Sequence, residues 1–218
     1  MKHILLYYLL ISFLPLMAQQ ESFLQIARVK YLGGGDWYND PSAEVNLLKF
    51  ISENTNINTN PNYIVVDLET NDILNFPITF LTGHGNIVFS DKNIQLLREY
   101  FENGGFMIID DDYGLDKSLR REINKLYPNN KLLELPFDHD IYHSVYDFEI
   151  GPPKTHEHDN KPSRGYGLFL GRRMVIYYTT ESNPSDGWAN KDIHNDPEEK
   201  RIEALRFGTN IIAYALSN

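Results

Sequence analysis

The sequence contains no cysteine among its 218 residues. This absence excludes disulfide bonds, thiolate metal ligands, a cysteine nucleophile and a lipid-modified cysteine. A chain of this kind depends for its stability on a hydrophobic core, and about 200 residues is long enough to bury a sizeable one.

Positive charge is also scarce, with 20 basic against 30 acidic residues and a formal net charge of −10. The basic residues form no run that would follow a phosphate backbone or an anionic membrane surface. We therefore expect no nucleic-acid partner, and a cation or a small polar ligand suits the chain better.

Long hydrophobic runs are absent after the first residues of the chain. The apolar run from Ile4 to Leu14 follows Lys2 and precedes the small residue Ala18, which is typical of a secretory signal peptide. We predict that residues 1–18 are removed and that residues 19–218 form a single exported domain, periplasmic or secreted, without a membrane span. A retained anchor is the alternative, but the run is short for a bilayer.

Predicted strands and helices alternate along the rest of the chain. Apolar runs predict strands over 23–32, 63–68, 78–81, 106–109 and 172–180, and a weaker fifth strand in KLLELP after Pro128. Helical spacing and end signals predict helices over 43–55, 91–103 and 116–127, and a terminal helix that starts near Pro197. Residues 151–167 are predicted to form a long polar loop. This alternation favours an α/β fold whose mostly parallel sheet is covered by helices on both faces.

Three predicted strands run directly into glycine, aspartate and histidine: ARVKYLGGGDWY (27–38), ITFLTGHG (78–85) and FMIIDDDYG (106–114). Open parallel sheets bind ligands outside the carboxyl ends of their strands. We therefore expect Asp36, His84 and Asp110–Asp112, together with His139, to lie on one edge of the sheet.

Several segments taken together resemble the bacterial DUF4159 domain family, whose function is unknown: YLGGGDWYNDP, LTGHG, LREYFENGGFMIIDDDYG, LPFDHDIY and GTNIIAYAL. The resemblance spans nearly all of residues 19–218. It implies a three-layer flavodoxin-like fold similar to the class I glutamine amidotransferases and the ThuA-type proteins. Amidotransferases carry a cysteine after a central strand, where this chain has carboxylates at Ile109–Asp112, so glutamine hydrolysis by that mechanism is excluded. The resemblance also suggests that His139 occupies the neighbourhood of the family histidine.

The glycine-rich segment Gly33–Gly35 has two interpretations. It can cradle an anion against a helix N-terminus, for which Asp40 and Pro41 supply the predicted cap and first turn, or it can be a tight turn held by Asp36. Trp37 and Tyr38 form either an aromatic wall for a ligand or part of the core. We predict the following substrate-binding residues: Gly34, Gly35, Asp36, Trp37, Gly83 and Gly85.

His84 is the strongest catalytic candidate because the glycines beside it expose its ring and an imidazole transfers protons near neutral pH. The alternative is a histidine that ties loops together. Asp110, Asp111 and Asp112 cannot all be buried and ionised without compensation by a divalent cation, by His84 or by an arginine. Alternation along a strand can also send some of them to solvent or to helix caps. The cofactor stays unknown, and a divalent metal is not favoured.

A second group of histidines follows in the chain. Among Asp138, His139, Asp140 and His143, we predict His139 in the site and His143 on the surface. The tract His156–Asp159 resembles a metal-chelating sequence, but its polar context favours a solvated loop. The arginines Arg164, Arg172 and Arg173 are further candidates to neutralise the aspartates.

These features predict a ligand crevice with the catalytic residues His84, His139, Asp111 and Asp112. The leading hypothesis is a hydrolase or lyase for a small polar, carbohydrate-like molecule. The alternative is a non-catalytic binding or assembly module of the cell envelope, with a protein partner, on a fold that has lost its nucleophile. In a third interpretation the motifs are purely structural.

Overall fold

A computed structural model describes residues 23–156 and 158–218 of the chain, and the predicted signal peptide lies outside these residues. In chain order the elements are β1 (Ile26–Lys30), α1 (Ala43–Asn54), β2 (Ile64–Asp67), β3 (Ile78–His84), α2 (Asp91–Glu102), β4 (Phe106–Tyr113), α3 (Asp116–Leu126), β5 (Leu133–Glu134), β6 (Arg164–Leu170), β7 (Arg173–Thr180), α4 (Pro184–Trp188), α5 (Lys191–His194) and α6 (Glu198–Ser217). Two short 3-10 helices cover Asp72–Asn75 and Asp140–Tyr142.

The strands form one seven-stranded sheet with the order β2-β1-β3-β4-β7-β6-β5. The neighbours from β2 to β7 pair in parallel, whereas β6 pairs antiparallel with both β7 and β5. The five parallel strands follow the order of the flavodoxin-like folds. The predicted mostly parallel α/β sheet is confirmed.

Side-chain alternation divides the core into two halves, one on each face of the sheet. On β4, Met107 and Ile109 join the core half that includes residues of α2 and α3. Phe106 and Ile108 point the other way and join residues of α1, α4 and α6. Helices therefore cover both faces of the sheet, which gives the predicted three-layer arrangement.

Helix α2 shows how local sequence sets the element bounds. The Ser90 hydroxyl accepts a hydrogen bond from the Asn93 backbone N–H at 3.2 Å, and the Asn93 side chain accepts one from the Ser90 N–H at 3.1 Å. This reciprocal cap satisfies two N–H groups that the helix leaves unpaired. Leu97 and Phe101, four residues apart, are both buried and anchor the helix on the sheet.

Several predicted boundaries were wrong. Strand β1 is shorter than predicted, and β3 ends at His84 rather than at Leu81. Strand β4 continues beyond Ile109 to Tyr113, because its last residues still pair with β3 and β7. The loop predicted over 151–167 ends before Arg164, where the antiparallel strand β6 begins. Helix α1 begins at Ala43 as predicted, but Ser42 and not Asp40 precedes it, since Asp40 has a left-handed backbone with φ of 43°.

No helix in the described part of the chain combines the length and hydropathy needed to cross a membrane.

Candidate functional site

The sheet has a switch point between β1 and β3. These strands are neighbours in the sheet, but β1 connects to β2 on one side whereas β3 connects to β4 on the other. Open α/β sheets bind ligands outside the carboxyl ends of the strands at such a point, because the diverging connections leave a crevice. Asp36 follows β1 and His84 is the last residue of β3, so both lie at this position.

His84 is held between two carboxylates. Its Nδ1 lies 3.0 Å from Asp36 Oδ2 and 3.2 Å from Asp112 Oδ2, and its backbone N–H donates to Asp36 Oδ1. The ring is half exposed, whereas Asp112 is buried and also accepts a hydrogen bond from the Asn39 amide. Within 23–156 and 158–218, no hydrogen bond to the ring Nε2 is present. This geometry assigns the proton to Nδ1 and leaves the Nε2 lone pair for a reacting group.

The two carboxylates respond differently to their surroundings. Burial acts to raise the pKa of Asp36, but hydrogen bonds from the backbone and ring of His84 hold it below the ordinary value. Burial raises the pKa of Asp112, the charges of Asp40 and Asp36 raise it further, and His84 and His194 oppose the rise. Asp36 is therefore the better anionic partner for the His84 ring.

Two glycines allow the loop after β1 to approach β3 closely. A Cβ on Gly35 would lie 2.6 Å from the Tyr31 hydroxyl and 2.9 Å from the His84 carbonyl. A Cβ on Gly83 would lie 2.5 Å from the same hydroxyl and 3.0 Å from Asp36 Oδ1. The absence of side chains here lets Asp36 reach His84.

The other predicted substrate-binding residues lie around this contact. Gly34 and Gly85 have positive φ angles of 91° and 85° and no neighbours near their Cβ positions. Trp37 is half-buried and packs against the core, and Tyr38, which meets it edge-on at 5.5 Å, is the exposed ring of the pair. The glycine turn is tied to the loop after β3, because the Gly35 N–H donates to the Asn86 carbonyl at 3.1 Å. Since α1 begins at Ala43, this turn does not present an anion site to a helix N-terminus.

A buried arginine fixes the loop that carries Asp36. Arg28 on β1 is fully buried and pairs with Glu44 of α1 at 2.5 and 2.7 Å. Its remaining guanidinium N–H groups donate to the backbone carbonyls of Trp37 at 2.9 Å and Asn39 at 2.7 Å. The guanidinium therefore joins β1, α1 and the loop between them.

The three aspartates of β4 are all buried but have separate partners. Asp110 accepts hydrogen bonds from the Thr179 hydroxyl at 2.7 Å and from the Ser185 N–H and hydroxyl at 3.0 and 2.6 Å. Burial raises its pKa to about 7 even though these hydrogen bonds favour the ionised form. Both carboxylate oxygens of Asp110 are therefore engaged inside the protein.

Asp111 points to the opposite face and caps helix α3. Its oxygens accept from the backbone N–H groups of Leu115 at 2.8 Å and Asp116 at 3.1 Å, and from the Tyr178 hydroxyl at 3.0 Å. Asp111 therefore satisfies N–H groups at the start of a helix, which is one of the alternatives that the sequence left open, and it does not pair with His84. Of the three aspartates, only Asp112 is paired with His84.

The structure does not bring His139 to this edge, contrary to our expectation. Its ring packs 5.4 Å from that of Tyr214 on α6, and Tyr214 lies 6.4 Å from Phe106, the first residue of β4. Its Nδ1 accepts a hydrogen bond from the Ile141 N–H at 3.2 Å. The reason is that the chain turns back at Pro136 and forms the 3-10 helix that packs on α6, so His139 caps that helix at the amino end of β4.

The neighbouring basic residues are also remote from the aspartates of β4. His143 lies on the surface, where its Nδ1 pairs with Asp147 at 3.1 Å. Arg164 pairs with Glu134 at 3.0 Å, Arg172 is exposed, and Arg173 donates to the backbone carbonyl of Gly105 at 3.2 Å. The arginines do not neutralise the carboxylates as considered from the sequence.

A second histidine and carboxylate group adjoins Asp112, and the sequence did not predict it. His156 Nδ1 lies 3.0 Å from Asp186 Oδ2, and His194 Nε2 lies 2.9 Å from Asp40 Oδ2 and 3.8 Å from Asp186 Oδ1. Burial and the nearby charges of Asp112, Asp110, Asp40 and Asp196 raise the pKa of Asp186 to about 9. Only the His156–Asp159 tract gave a signal in the sequence, because Asp186 and His194 belong to short helices without a recognisable motif.

A cleft of about 410 Å³ opens beside this edge at the ends of β4 and β7. Its lining includes Asp112, Tyr113, His158, Tyr166 and Glu181. The Asn183 side chain donates to the Asp112 carboxylate at 3.0 Å and to His158 Nε2 at 2.9 Å. Asp112 therefore connects His84 to the cleft.

A comparison with family models matches residues 25–216 to the family described as "Domain of unknown function (DUF4159)". The chain belongs to this family. The DUF4159 match includes both groups of residues described above, from Asp36 to His194, and the resemblance noted in the sequence is confirmed. The family description assigns no activity, and a comparison with curated proteins finds no match.

Proposed function

We propose that this DUF4159 protein is an exported hydrolase or lyase that acts on a small polar, carbohydrate-like molecule, with His84 as the general base. Asp36 orients the ring and balances its charge when it takes up a proton. Asp112 places the ring beside the cleft. The observation that carries the proposal is the position of the Asp36 and His84 pair at the switch point, with Nε2 of His84 open.

The chemistry of the pair supports this assignment. A carboxylate that accepts the Nδ1 proton of a histidine fixes the tautomer in which Nε2 can accept a proton from a substrate or from water. The same carboxylate stabilises the imidazolium that results. A base positioned in this way contributes about 10²- to 10⁴-fold to a rate.

The lining of the cleft supports a polar ligand. It combines basic side chains, including Arg120 and Lys161, with acidic ones, including Asp116 and Glu181, and adds the rings of Tyr113 and Tyr166. Tyrosine rings pack against the apolar face of a sugar, while the charged groups bind its hydroxyls.

The proposal is tested by assaying the secreted chain and its His84→Ala variant on p-nitrophenyl glycosides and uronate oligosaccharides. Released nitrophenolate reports hydrolysis, and the ultraviolet absorbance of an unsaturated product reports elimination. We expect turnover of at least one substrate and a fall of about 10²- to 10⁴-fold in kcat in the variant.

The control variant is His143→Ala, which removes an exposed imidazole whose carboxylate partner is the surface residue Asp147. Its kcat should equal that of the unmodified chain. Turnover unaffected by His84→Ala, or no turnover of either substrate type, would rule out the acid–base assignment.

Asp110 and Asp111 are hydrogen-bonded within the protein, and this favours a second candidate function. In it the chain is a non-catalytic binding or assembly module of the cell envelope. All four of their carboxylate oxygens accept hydrogen bonds from the protein itself. In this case the p-nitrophenyl glycosides and uronate oligosaccharides of the assay would bind without being converted to products. Their binding would shift the backbone NMR signals of residues that line the cleft.

Export is the part of the proposal that depends on residues 1–18. It predicts that the protein recovered from the periplasm or medium begins at Gln19. Recovery of a chain that still begins at Met1 would contradict it.

A further inference from the structure

The group formed by His156, Asp186 and His194 has the composition of a metal centre. One donor atom from each lies within 4.8 Å of the others. The three residues come from the loop before β6, from α4 and from α5, so the fold assembles them from distant parts of the chain. Two imidazoles and a carboxylate form a common donor set for zinc and similar transition metal ions.

The spacing of the donor atoms suits a single ion. Tetrahedral zinc bonds of 2.0–2.1 Å place neighbouring ligand atoms about 3.3 Å apart. His156 Nδ1 lies 3.0 Å from Asp186 Oδ2, and His194 Nε2 lies 3.8 Å from the other oxygen, Oδ1. One donor atom from each of the three residues lies within 4.8 Å of the other two, so small side-chain shifts bring them to these distances. Asp40 Oδ2 lies 2.9 Å from His194 Nε2 and holds this imidazole from the outside of the group.

A separate observation points to a ligand. The Asp186 side chain is only 2% exposed, and its Oδ1 has no hydrogen-bond partner among the described residues. A buried carboxylate oxygen without a partner carries a free-energy cost that a bound cation removes. This oxygen faces His194, on the side where the other donors lie.

The local charge also favours a cation. Asp112, Asp110 and Asp40 act on Asp186 as neighbouring negative charges. Across the described ranges, the ion pairs formed by Asp40, Asp112 and Asp186 are all with histidines and none is with lysine or arginine. A divalent ion would supply the missing positive charge.

We propose that His156, Asp186 and His194 bind one divalent transition metal ion of the zinc type. His156 is the exposed side of the centre, whereas Asp186 closes it from within. Three protein ligands leave the fourth position of a tetrahedral ion to solvent, as in zinc sites that hold a reactive water. The assignment is independent of the role proposed for His84.

Zinc binding to the chelator-treated secreted chain tests this proposal by isothermal titration calorimetry and by metal analysis of the dialysed complex. We expect one Zn²⁺ per chain and a higher Tm in the presence of zinc. Magnesium should bind at least tenfold more weakly, because imidazole is a poor ligand for this hard ion. No bound zinc, or equal affinity for both ions, would overturn the assignment.

Variants locate the bound ion. His156→Ala and His194→Ala should each weaken zinc binding at least tenfold, and the exposed position of His156 makes its variant safe for folding. His84→Ala and His143→Ala should bind zinc as the unmodified chain does. Zinc binding that survives both ligand variants, or that is lost in His84→Ala, would place the ion elsewhere and refute the proposal.

The proposed role of His84 and the proposed metal centre can be refuted independently of each other. Unchanged zinc affinity in His84→Ala together with unchanged turnover would remove the base and leave the metal centre. Zinc binding is measured without a substrate, so it does not depend on finding one.

Discussion

At the scale of single residues, similar side chains next to each other in sequence have different environments. Asp110 is enclosed by hydroxyl and amide donors, Asp111 caps α3, and Asp112 is paired with His84. The sequence predicted the position of the aspartates after a central strand but not their separate partners. Those partners depend on alternation within β4, which extends past the predicted strand end, and on α4, which the sequence did not predict.

Asp110 should make stability depend on pH. Its pKa is raised from 3.8 to about 7 in the fold, so the folded state holds a proton that the unfolded chain releases above pH 4. The contribution of this proton to the free energy of unfolding is therefore fully present below about pH 4 and is lost as the pH rises to about 7. At about 1.4 kcal/mol for each pKa unit, the loss reaches on the order of 4 kcal/mol.

The variant Asp110→Asn tests this dependence. Asparagine resembles the protonated carboxyl, since its oxygen can accept from Ser185 while its amide donates to the Thr179 hydroxyl. Urea unfolding between pH 4 and 8 should show a smaller decline in the free energy of unfolding than in the unmodified chain. The exposed variant Asp138→Asn should keep the original decline, and an equal decline in Asp110→Asn would refute the assignment.

At the scale of elements, the site depends on how the loop from β1 to α1 is held.

The helix and strand sequences predicted most of the parallel core, because cap residues and apolar runs act locally. Strand β6 was missed because RGYGLFL carries glycines and borders a polar loop, and because its pairing with β7 is set by the fold. The position of His194 could not be predicted for the same reason, because its partner Asp40 is remote in sequence and is brought to it by the fold.

Replacing Arg28 by methionine should release that loop. Glu44 would remain buried without its partner, and the carbonyls of Trp37 and Asn39 would lose their donor. Loss of one member of a buried ion pair costs about 3–5 kcal/mol. Urea unfolding should show this loss, and hydrogen exchange should become faster over residues 36–42.

The matched control is Lys30→Met, two residues further along β1. Lys30 pairs with Asp67 at 2.7 Å, but both side chains are partly exposed, so the change should cost about 1 kcal/mol or less. A double variant, Arg28→Met with Glu44→Met, should recover stability because no lone charge stays buried. A similarly small effect of Arg28→Met and Lys30→Met would contradict the role given to the buried pair.

At the scale of the whole molecule, three strand ends and the segment after β7 form one acidic edge. The predicted fold class and the predicted meeting of Asp36, His84 and Asp112 agree with the structure. The contribution of residues 181–194 to that edge was not predicted, since the position of this segment depends on its packing against α1 and α6, which are remote in sequence. The acidic net charge of −10 is consistent with an edge that binds a cation.

The central claim is that the fold holds His84 with its proton on Nδ1 and with Nε2 free to accept another. Long-range proton–nitrogen NMR of the histidine side chains at pH 8 measures this tautomer directly, and His84→Ala assigns the signal. We predict the Nδ1–H tautomer for His84, and a shift towards the Nε2–H form in the variant Asp36→Asn. An Nε2–H tautomer in the unmodified chain would contradict the account.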